Sequence, residues 1–122
     1  MNKIAVLVAG MVFAAGAAAA DCTAPEAPTL PKGGSSTMEQ MLEGQKAVKA
    51  FQAANLEYMG CLETKFTAAE KAAKKGSDEE KADAQKIYNE SMNAYNAAVT
   101  KEEEVAGQFN TEIREYKAAN PG

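Results

Sequence analysis

Histidine is missing from all 122 residues, and so is tryptophan. Without histidine the chain has neither the usual general base at neutral pH nor the commonest ligand for transition metals. Serine–histidine and cysteine–histidine catalysis are excluded, as are zinc sites that use imidazole. There are only two cysteines, too few for a four-thiolate site. Basic blocks are lacking as well: 13 Lys and Arg stand against 17 Asp and Glu, a formal charge of −4. An acidic chain of this kind is a poor match for nucleic acid or an anionic lipid surface. The apolar run from Ile4 to Ala15 holds about 12 residues, where a membrane-spanning helix needs about 20.

That short run fits another purpose. Lys3 precedes it, Ala18-Ala19-Ala20 follow it, and Asp21 comes next, the pattern of a secretory signal peptide over 1–20. Cleavage there leaves about a hundred residues, enough for one domain. Asp21, not a small residue, precedes Cys22, which argues against a lipid-modified cysteine. The expectation is a periplasmic or secreted protein with no stable membrane anchor after cleavage. In such a compartment Cys22 and Cys61 pair as a disulfide.

Residues 21–35 carry Pro25, Pro28 and Pro31 and then Gly33-Gly34, an extended, polyproline-like strap ending in a turn. The hairpin region follows over 36–119. Ser36 with Glu39 forms a capping box that opens a helix over about 37–75. Lys74-Lys75-Gly76 closes it, with cations in the last turn and glycine beyond. Ser77 with Glu80 is a second capping box, so 76–77 is a minimal turn and the next helix runs over about 78–119, until Asn120-Pro121 stops it. The fold class is therefore all-α: a long, coiled-coil-like antiparallel two-helix hairpin, with a Pro-rich strap disulfide-linked to the first helix.

Hydrophobic spacing sets a register. Met38, Met41, Val48, Asn55, Met59, Leu62 and Phe66 line a seam on the first helix, interrupted by Gln45 and Gln52. Tyr88, Met92, Tyr95, Val99, Glu102, Ala106, Phe109, Ile113 and Tyr116 line one on the second. Folding about Ser77 sets Phe66 opposite Tyr88, Met59 opposite Tyr95 and Met41 opposite Ile113. A flanking stripe with Ala47, Phe51, Ala54, Tyr58 and Cys61 forms a shallow groove for the strap. Nine residues from Cys22 to Pro31 at about 3.1 Å each span the rise of about 19 helical residues. Running back from Cys61, the strap then puts Leu30 near Ala47.

No chemistry-bearing constellation emerges. Asp78-Glu79-Glu80 and Glu102-Glu103-Glu104 are consecutive on helices, so their carboxylates point about 100° apart and do not converge on one ion. A narrow hairpin offers no cleft with facing acids. The expectation is no enzyme, no catalytic residue, no metal and no cofactor. Asn89, Asn96, Glu103, Asn110 and Lys117 recur every seven residues as a polar face. Leu42 and Leu56 break the polarity on the first helix and are the candidate anchors for a protein partner or a homodimer. The expected function is that of a non-enzymatic helical module of the bacterial cell envelope, acting by protein–protein binding or self-association. The alternative is a periplasmic chaperone-like protein holding unfolded clients on an apolar groove, because methionine-rich surfaces adapt to many partners.

Overall fold

The computed structural model describes residues 22–122, so the signal-peptide reading of 1–20 lies outside the described residues. Two helices, α1 (Met38–Ala72) and α2 (Asp78–Ala119), follow a single 3-10 turn at Gly33–Ser35. No strand occurs among the described residues, and none of their helices is long and apolar enough to cross a membrane. Phe66 meets Tyr88 edge-on at 6.1 Å near the turn, and farther along Asn55 reaches Ala98, so the helices run antiparallel as a hairpin. Phe66 also meets Tyr95 edge-on at 5.8 Å, a favourable geometry for aromatic quadrupoles.

The helix starts follow side-chain chemistry. Thr37, not Ser36, caps α1: its hydroxyl accepts from the Gln40 amide, and the Gln40 side chain accepts from the Thr37 amide at 2.9 Å. Ser36 is otherwise engaged, its hydroxyl donating to the Lys32 carbonyl at 2.6 Å to close the 3-10 turn. Ser77 caps α2 by accepting from the Glu80 amide, with three acids in the first turn facing the positive end of the helix dipole. Between the helices the chain tightens early. The amides of Lys74 and Lys75 donate to Lys71 and Ala72, so α1 ends before Lys74 and the link occupies 73–77. Gly76 has φ of 95°, the left-handed conformation that glycine adopts at no steric cost.

The strap lies along one side of the hairpin. Cys22 and Cys61 form a disulfide with Cα atoms 5.7 Å apart, anchoring the strap to the middle of α1. Pro31 touches Gly44, 17 positions earlier on that helix and hence about 25 Å away. Nine residues cover this distance only if nearly extended, at about 2.8 Å each. Burial along the strap has a period of three: Cys22, Pro25, Pro28 and Pro31 are half-buried while most intervening residues are exposed. Three residues per turn is the repeat of a polyproline helix, which presents one such row to a surface. At its end Leu30 packs against a core of Met41, Val48, Phe51, Val105 and Phe109. Gly33 is buried on α2, its amide donating to the Glu112 carboxylate at 2.7 Å.

The buried residues of α2 are Ala84, Ser91, Ala98, Val105 and Phe109: Phe109 lies in the expected row, whereas Tyr88, Tyr95 and Glu102 of that row are only half-buried. At Ala98 and Val105 the strap accounts for the difference, because burial there centres between two neighbours, α1 and the strap. Met38, placed in the seam by its spacing, is 57% exposed and lines an open cleft. Ile87 lies beyond the disulfide end of the strap and is 41% exposed.

Gly44 shows how close the strap comes. A glycine inside a helix costs about 1 kcal/mol relative to alanine. A Cβ at this position would meet the Pro31 ring at 2.7 Å and Phe109 at 3.2 Å. Gly44→Ala is therefore expected to lower stability by about 1–2 kcal/mol despite the gain in helix propensity. Thermal denaturation checks this, and a stabilised variant would show that the strap is not seated on α1.

Candidate partner-binding face

The hairpin has two broad sides with different fates. On one, the strap runs from the disulfide to Gly44, with Pro31 against Gly44 and a furrow of about 420 Å³ between strap and α1 that Ala47 lines. On the other, nothing within the described chain covers α1, and its apolar residues meet water. Leu42 is 50% exposed and Leu56 is 68% exposed. They are 14 residues apart, four turns and about 21 Å along the same side of α1. Met38 extends the row by one turn.

Beside Leu42 the two helices enclose a cleft of about 510 Å³. Its apolar walls come from Met38, Met41, Leu42, Phe109, Ile113 and Tyr116, with Lys117 and Asn120 as polar walls. It adjoins a smaller furrow of about 240 Å³ that includes Gln45, Gln52, Ala106 and Asn110. Gln45, Phe109 and Ile113 line both, so cleft and furrow form one trough between the helices. Spacing alone did not disclose this trough, since its walls were read as a closed seam. The detectable signal was the pair Gln45 and Gln52, polar residues where a dry seam would be apolar.

Farther along, two buried polar side chains are hydrogen-bonded. Asn55 is 2% exposed, and its amide donates to the Ala98 carbonyl of α2 at 3.0 Å. Ser91, also buried, donates to the Ile87 carbonyl at 2.6 Å. Among the described residues no buried side-chain polar atom lacks a partner. The polar layer at Asn55 thus ties one helix to the other, the role of isolated buried polar residues in fixing helix register.

Electrostatic structure on the surface is thin. The ion pairs Lys86–Glu90 at 3.9 Å and Lys101–Glu104 at 3.6 Å are both largely exposed and contribute little. Asn89, Asn96, Glu103, Asn110 and Lys117 are all exposed, as a solvated face requires. No group of three or more acids or cysteines gathers as a metal site among the described residues. What the surface offers is apolar contact: two leucines, a methionine and the trough beside them. Comparison of the chain with protein-family models, with curated proteins and with solved structures found no match.

Proposed function

We propose that the chain is a non-enzymatic helical-hairpin module of the bacterial cell envelope that works by protein–protein binding or self-association on the side its strap leaves open. The supporting observation is the asymmetry of cover. The strap lies on one side of the hairpin, while on the other Met38 and Leu42 stand exposed beside an apolar cleft and Leu56 stands exposed farther along α1. Exposed apolar side chains gathered along one helix, rather than scattered singly, mark interaction surfaces. The disulfide suits an oxidising compartment, and the leader-like N-terminus suits export to one.

The rival reading, a chaperone-like protein holding unfolded clients, draws support from the methionines of the cleft, which adapt to irregular surfaces. It no longer draws support from the strap-side groove, where Leu30, Pro31 and Gly33 already sit. Site-specific photo-crosslinking in intact cells separates the two. A crosslinker at Leu42 or Leu56 is expected to give one or two adducts of discrete mass, and one at the strap-side Ala47 none. A continuous smear of masses from Met38 would instead favour client holding. Equal yields from the open and strap sides would overturn the proposal.

A further inference from the structure

Leu56 is the most exposed of the large apolar residues at 68%, and the residues around it are arranged symmetrically. Lys49 lies seven residues before it and Glu63 seven residues after, each two helical turns away on the same side of α1. Both are exposed, and neither has an opposite charge three or four residues away on its own helix. Lys49 has Gln45, Lys46, Gln52 and Ala53 at those positions, and Glu63 has Met59, Gly60, Phe66 and Thr67. Neither takes part in an ion pair among the described residues. An unmatched cation and an unmatched anion, equidistant from an exposed leucine, satisfy each other when the helix meets its own inverted image.

Resting on the reading of this side as a binding face, we propose that its occupant is a second copy of this chain, docked about a two-fold axis through Leu56 and perpendicular to α1. Such an axis makes the two α1 helices antiparallel. It brings Leu56 onto Leu56 of the second copy, and Lys49 of each copy onto Glu63 of the other. Gln52 then lies across from Gly60. A Cβ built on Gly60 meets nothing within 4 Å among the described residues, so nothing among them accounts for a glycine inside this helix at a cost of about 1 kcal/mol. Across the axis its missing side chain makes room for Gln52. The interface is isologous, every contact occurring twice, and it joins two thin hairpins into a four-helix assembly.

Sedimentation of the oxidised protein over a concentration series tests this by charge reversal. The wild type is expected to dimerise, more weakly as salt rises. Lys49→Glu and Glu63→Lys each turn two attractive pairs into two repulsive ones, weakening the dimer on the order of tenfold. The double variant Lys49→Glu/Glu63→Lys swaps the charges and should return to within about threefold of wild type. Leu56→Glu places two carboxylates on the axis and should abolish dimerisation. All three positions are exposed, so circular dichroism should show unchanged helix content in every variant. A wild type that stays monomeric, or a dimer indifferent to single reversals, overturns the proposal. A monomer that still gives a discrete heterologous adduct at Leu42 or Leu56 would sink the dimer and leave the binding face standing. A monomer with no adduct would sink both.

Discussion

Removing the disulfide, by Cys22→Ser with Cys61→Ser, should lower stability by about 4 kcal/mol while leaving both helices wound. The two sulfurs close a loop between residues 39 apart in sequence, and for a loop of that size the loss of unfolded-chain entropy is worth about 4 kcal/mol. For a folded unit of about a hundred residues, the size of the described part 22–122, this is a Tm shift of roughly 15–25 °C. The helices should persist because their mutual contacts do not pass through the strap: Phe66 holds Tyr88 and Tyr95, and Asn55 holds Ala98. Residues 22–32 have no helical or strand hydrogen bonding of their own and should gain fast amide exchange. Helical circular dichroism at low temperature, read beside hydrogen exchange, checks both halves. Loss of the helical signal would mean that the strap is needed to form the hairpin, not merely to cover it.

Gly33→Ala should cost about 3 kcal/mol, or roughly 12–20 °C in Tm. Gly33 does not have a positive φ, so its backbone conformation does not demand glycine. Space does. A Cβ there would overlap the backbone carbonyl of Glu112 and lie 2.8 Å from the Tyr116 amide nitrogen. A helix backbone cannot swing aside as a side-chain tip can, so the turn must lift. Lifting it breaks the bond from the Gly33 amide to Glu112 and withdraws Leu30 from the core. The neighbouring Gly34 has open space and supplies the control, since Gly34→Ala should be nearly neutral. Thermal melts of the two variants decide the matter, and equal melting points would refute the seat on α2.

The contrast between those glycines marks what could and could not be read in advance. The hairpin was legible because its signals are local: Ser77 three residues before Glu80, glycine at the turn, and heptad rows that mirror about it. The pairing of Phe66 with Tyr88 followed from that symmetry. The disulfide was legible from the parity of two cysteines in a chain with an export-like leader. Gly33 and Gly44, by contrast, are meaningful only once a third element presses on them, and two-helix reasoning assigns them to a turn and a tolerated helix defect. The α1 start was ambiguous in kind, because Ser36 and Thr37 each have an acid or amide three residues on. The 3-10 turn resolved it by occupying the Ser36 hydroxyl. The strap's inward row, Cys22-x-x-Pro25-x-x-Pro28-x-x-Pro31, was present in the sequence as a period of three. The exposed leucines were visible as breaks in a polar face, but the trough beside them depended on how the two helices pack.

The attachment of the strap at two places has a consequence for the order of events as the chain is made. Both sulfurs precede α2 in the sequence, so under oxidising conditions the covalent tie can close before α2 has packed. The seat of Gly33 on Glu112 joins residues 79 apart and must await nearly the last residues. An early disulfide brings the strap onto α1 ahead of time, leaving the late helix a prepared slot between two partners already joined. A late one requires the finished hairpin to capture a loose N-terminal tail. The same native contacts are reached by both routes, but only in the first is the rate of completion set by the oxidant and the second helix alone.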